Sequence, residues 1–129
     1  MKVFLIIFLL YSLPTITIAQ SPATDCLSFH TGEYLYTDSA SDTWELKRTK
    51  KHQVERNKRT GKVIRFNILW LSDCEYRLTQ VWTNDRSRRK WNRANYSYRI
   101  ISSTANSFSY NCSCKNSPAV DGIVVKAMN

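Results

Sequence analysis

Apolar and polar residues alternate along most of this chain, and that period of two narrows the possible folds more than any other feature. Between Val63 and Leu71, the side chains of Ile64, Phe66, Ile68 and Trp70 fall on one face; the other carries Arg65 and Asn67 among Val63, Leu69 and Leu71. Successive residues of a strand point to opposite faces, so the pattern predicts a half-buried strand. The same reading predicts strands at Glu33–Tyr36 (opened by Gly32), Thr43–Arg48, His52–Arg56, Cys74–Trp82, Tyr96–Ser102, Ser107–Cys114 and Gly122–Met128. Ser39–Asp42, Asn57–Gly61 and Ser72–Asp73 have turn chemistry. Lys50–Lys58 is the sole helical candidate, but it is too poor in apolar residues to dock on a core, so it reads as an exposed strand. About eight short strands in sequence predict an all-β antiparallel meander. Such a meander closes into a small, lipocalin-like up-and-down barrel without free edges. A two-sheet sandwich is the alternative, and periodicity does not choose between them. Phe66, Ile68, Trp70, Tyr76 and Leu78 face the interior in either case, as plain core or as the lining of a hollow barrel.

The first residues have a different character. Met1-Lys2 is a short positive start, Val3–Leu13 is apolar except for Ser12, and Thr17-Ile18-Ala19 supplies small residues for cleavage. This order predicts a secretory signal peptide over residues 1–19, with Gln20 first in the mature chain. The apolar run is shorter than the roughly 20 residues a membrane span requires. No later segment of the chain is long and apolar enough to be one. Residues 20–129 then form one modest domain in a secreted or periplasmic setting, where cysteines can pair.

Several spacings have a family look. Cys26, Phe29 and Gly32-Glu33-Tyr34 follow C-x-x-F-x-x-G-x-[FY]; Arg48 precedes Gln53 and Glu55; and Trp70–Leu78 reads W-x-S-D-C-x-Y-x-L. In these residues the chain resembles a family of small secreted bacterial proteins of Bacteroidetes-type organisms. The resemblance runs from Cys26 to Leu78 and implies a small β-barrel-like secreted domain with no assigned activity. It also favours a Cys26–Cys74 disulfide, because both cysteines lie in the matching segment. Cys112, Cys114 and the basic run from Arg86 to Arg93 lie beyond it.

Four cysteines allow three pairings. Cys112 and Cys114 share one face of a strand, where a bridge between residues two apart strains disulfide geometry; each can instead pair with one of the other two. A lone Cys-x-Cys lacks the further ligands of a closed metal site, and the residues point to no metal and no cofactor. Asn95-Tyr96-Ser97 and Asn111-Cys112-Ser113 are formal glycosylation acceptors, relevant only in a eukaryotic host. His30 and His52 are the only histidines, and neither sits in a catalytic spacing. A nuclease-like hydrolase using the pair is the enzymatic alternative. The absence of any hydrolase, phosphate-loop or metalloprotease motif argues against an enzyme.

Charge carries the strongest functional signal. The chain holds 19 Lys+Arg against 10 Asp+Glu, a net charge of +9, or +8 once Lys2 is removed. Nine basic residues fall between Lys47 and Arg65, and six more between Arg86 and Arg99. The second segment interleaves with Trp82, Trp91, Tyr96 and Tyr98, setting stacking surfaces beside cations. A solvated face and a mobile loop would account for this. The functional reading assigns Arg86, Arg88, Arg89, Lys90, Trp91 and Arg93 to an anionic partner, whether a polysaccharide, lipid headgroups or nucleic acid. Arg48 is set apart as a structural arginine, expected to bond a carboxylate such as Glu55 on a neighbouring strand.

Overall fold

The computed structural model describes residues 24–114 and 120–128. The signal peptide, its cleavage point and Gln20 lie outside these residues. Eight strands follow one another in an antiparallel meander: β1 (Gly32–Thr37), β2 (Thr43–Arg48), β3 (His52–Asn57), β4 (Val63–Trp70), β5 (Glu75–Thr83), β6 (Asn95–Ser103), β7 (Ser107–Cys114) and β8 (Val120–Lys126). β8 pairs back onto β1 through Tyr34↔Lys126 and Leu35↔Val125, so the sheet is a closed barrel. Closure pairs both edges and settles the choice left open by periodicity in favour of the barrel. Two bulges, at Arg65/Phe66 against β5 and at Ile100/Ser102 against β7, bend the sheet.

Alternation sets what each strand points inward. Ile64, Phe66 and Ile68 of β4, Tyr76 and Leu78 of β5, Ile100 of β6 and Phe108 of β7 are buried, with Trp70 packed against them. The inward residues of β3 are Gln53, Glu55 and Asn57, and all three are buried. The sequence reads this segment as an exposed strand because its inner face has no apolar residue. The structure corrects that: β3 carries a polar seam into the barrel.

The two ends differ. At the base, the chain before β1 folds in as a 3-10 turn (Leu27–Phe29) and buries Phe29 completely against Tyr34 and Phe108. Cys26 and Cys74 form a disulfide there, with Cα atoms 5.1 Å apart, tying this turn to the β4–β5 connection. At the mouth sit the β1–β2, β3–β4 and β5–β6 connections. The β3–β4 hairpin turns through Gly61 at φ +69°, where a side chain would be strained, and Asn57 Oδ1 accepts from the Arg59 and Thr60 N–H groups. Cys112 and Cys114 lie at the mouth end of β7 with Cα atoms 5.3 Å apart. Cys26 and Cys74 being joined to each other, neither pairs with Cys112 or Cys114 as the alternative pairings would require.

Candidate functional site

Two polar regions stand out, one inside the barrel and one on its rim. The interior region begins at Arg48, which is 2 % exposed. Its Nε donates to Gln53 Oε1 at 2.8 Å and its other fork to the Phe29 carbonyl at 2.9 Å. The guanidinium lies 4.6 Å from the Tyr76 ring centroid, with Tyr34, Trp70 and Phe108 around it. Gln53 Nε2 donates to Glu55 Oε1 at 2.7 Å, and the Tyr36 hydroxyl donates to Glu55 Oε2 at 2.7 Å. The sequence expects Arg48 to meet Glu55 directly; instead Gln53 stands between them and links both. Burial pushes the Glu55 carboxyl up despite the bonds from Tyr36 and Gln53, with Arg88 and Arg48 pulling weakly the other way. The Tyr98 hydroxyl is likewise raised well above its ordinary value by burial.

The rim region is the β5–β6 connection. The sequence reads residues 83–95 as a basic loop; the structure places an ordered 3-10 segment, Arg86–Trp91, within it. Asp85 starts the segment by accepting from Ser87 N at 3.0 Å and Ser87 Oγ at 2.8 Å. Gln80, fully buried, donates from Nε2 to the Arg88 carbonyl at 2.9 Å and to Asn92 Oδ1 at 3.0 Å. The Arg93 N–H returns to the Gln80 carbonyl at 2.7 Å, and Arg93 takes φ +75° to do so. This polar side chain from the barrel wall therefore holds the connection in shape. A segment this short and polar shows no periodicity, so the sequence carried no signal for it.

The predicted loop residues do not act alike. Arg86, Arg89, Lys90 and Arg93 are exposed, and Trp91 is 40 % exposed with Lys90 Nζ 5.3 Å from its ring centroid. Arg88 instead turns inward: it is half-buried, its Nε is sealed from solvent without a hydrogen bond, and its charge reaches Glu55.

Ion pairing is more extensive in the first basic segment than in the second. In the first, Lys47, Lys58, Arg59 and Lys62 pair with Glu33, Glu45, Asp42 and Asp85 and Arg48 is buried, while Lys50, Lys51, Arg56 and Arg65 are exposed and make no salt bridge among the described residues. In the second, Arg99 pairs with Glu75, but Arg86, Arg88, Arg89, Lys90 and Arg93 make no salt bridge among the described residues. Asp85, the one acid in that connection, is taken by Lys62 at 2.9 Å.

The two histidines have separate local partners. His30 stacks on Trp70 with ring centroids 3.4 Å apart and bonds the Asp73 carbonyl through Nε2. His52 Nδ1 lies 3.2 Å from Asn67 Oδ1. No hydrogen bond joins the two among the described residues. Comparisons with protein-family models, with curated proteins and with solved structures find no match to this chain.

Proposed function

We propose that this protein is a secreted or periplasmic, non-enzymatic barrel that binds an anionic polymer through the Arg86–Arg93 connection. The observation that carries the reading is the unshared positive charge of Arg86, Arg89, Lys90 and Arg93 on a hydrogen-bonded platform. Lys47, Lys58, Arg59, Lys62 and Arg99 have their counter-charge in the protein; these four side chains do not, and they are gathered within eight residues of one connection. Cations held in place beside an exposed Trp91 release counterions from a polyanion without first losing the freedom of a floppy loop. The reading draws further support from the +9 net charge and from the resemblance of Cys26–Leu78 to small secreted bacterial proteins.

Two measurements test it. Wild type and an Arg86→Ser/Arg89→Ser/Lys90→Ser variant are compared on immobilised heparin and single-stranded DNA. The wild type is retained to higher salt on both; co-elution of the variant with wild type would reduce the connection to a solvated surface. Stronger retention on DNA than on heparin would assign a stacking role to Trp91, worth about 1–3 kcal/mol against a base. For the export part, N-terminal sequencing of protein recovered outside the cytoplasm is expected to read Gln20 first, and a chain still beginning at Met1 would contradict it.

A further inference from the structure

We propose that the barrel interior, independently of the rim, holds a binding site for a small organic ammonium ion, built from the Glu55 carboxylate and the tyrosine rings facing it. Glu55 is the only buried acid among the described residues. Both of its oxygens accept from neutral donors, Gln53 and Tyr36, and it makes no salt bridge among the described residues. Arg48 donates through Nε to Gln53 and through one terminal nitrogen to the Phe29 carbonyl, its other terminal nitrogen is buried without a partner among the described residues, and no hydrogen bond joins it to Glu55; Arg88 approaches from the rim. A carboxylate withdrawn from water needs a cation in contact or loses its charge. The upward push of burial on Glu55, which the two arginines fail to cancel, reflects that shortage.

Space for the missing cation lies beside it. A cavity of about 70 Å³ is bounded by Glu55, Tyr36, Tyr76, Tyr98 and Tyr110. Among the described residues the Tyr98 and Tyr110 hydroxyls form no hydrogen bond within the protein, which leaves two phenol oxygens for an N–H donor. Tyr110 reaches this position across Gly122, where any Cβ would run into its ring. One carboxylate beside two phenol oxygens suits an ammonium group, whereas a hard metal ion requires a full shell of oxygens. The volume takes a head group of a few heavy atoms. A carboxylate ligand would meet Glu55 and the negative faces of the rings.

The test is thermal unfolding of the whole mature protein in rising methylammonium chloride, against sodium chloride at equal ionic strength and sodium acetate. The expected result is a melting midpoint that rises saturably with methylammonium alone. Glu55→Gln keeps the size and one acceptor oxygen, turns the other into an N–H donor to which the Tyr36 hydroxyl can offer its oxygen, and removes the charge; it is expected to weaken the effect by about tenfold or more. Val124→Leu adds bulk to the cavity wall while leaving the carboxylate intact, and is expected to abolish the response; it also gives the answer if Glu55→Gln fails to fold. A wild type that ignores methylammonium, a response to acetate instead, or an unchanged response in a folded variant would each overturn the proposal.

Discussion

At the scale of single residues, Arg48 shows how a charge survives inside a small barrel. Its guanidinium is buried, bonded at two corners and surrounded by aromatic faces. Arg48→Ala would strand Gln53 Oε1 and the Phe29 carbonyl and leave a void among four rings. It is expected to cost about 3–5 kcal/mol in chemical denaturation, and Arg48→Lys is expected to restore little, since an ammonium cannot span both acceptors. A loss below about 1 kcal/mol would contradict this. Acid sensitivity is set elsewhere, at the mouth. Bonds from Arg59 and Asn57 hold the Asp42 carboxyl down at about 2, and Lys62 with Ser87 holds Asp85 at about 2. Carboxyls depressed in the folded state contribute stability that is fully present above their unfolded value of about 3.9 and is lost as the pH falls through the folded value. Asp42→Asn is therefore expected to flatten the acid limb of the stability curve between about pH 4 and 2 while lowering stability at neutral pH. Denaturant midpoints at several pH values check this; an acid limb as steep as in wild type would refute it.

At the scale of elements, the strands were legible, but the polar interior of β3 and the ordered shape of the β5–β6 connection were not, for different reasons. Strands such as β4 announce themselves because one side of a sheet must be apolar to be buried, and that requirement writes a period of two into the residues. β3 escapes the rule: Gln53, Glu55 and Asn57 are inward but polar, satisfied by one another and by neighbouring strands, so burial leaves no apolar trace. The Tyr36–Glu55 contact joins residues 19 apart, and no local spacing marks it. The 3-10 segment is concealed in another way, since its shape comes from Gln80 in the barrel wall and not from its own composition. The charges of Arg86–Arg93 were visible; the inward turn of Arg88 was not. Gln80→Leu removes both clasping bonds while keeping the bulk. It is expected to speed amide exchange at residues 86–93 by about tenfold or more, with the strands unchanged. Uniformly unchanged exchange would show that the platform does not depend on Gln80.

At the scale of the whole molecule, the barrel separates its tasks by end. The base is sealed by Phe29 and by a disulfide joining residues 48 apart, a link that restricts the unfolded chain by about 4 kcal/mol. The mouth carries the cluster of unpaired cations in the β5–β6 connection, and the interior keeps one buried acid among the described residues. Ion pairs take up four of the nine basic residues between Lys47 and Arg65, while none of those in the β5–β6 connection is paired among the described residues. The claim that this connection is a polyanion-binding surface is tested most directly by the salt dependence of binding to single-stranded DNA. With four exposed cations each displacing about 0.7 of a counterion, log K is expected to fall with log salt at a slope of about −3. The Arg86→Ser/Arg89→Ser/Lys90→Ser variant is expected to retain a slope of about −1 or less. A wild-type slope near zero, or the same slope in both proteins, would contradict the account.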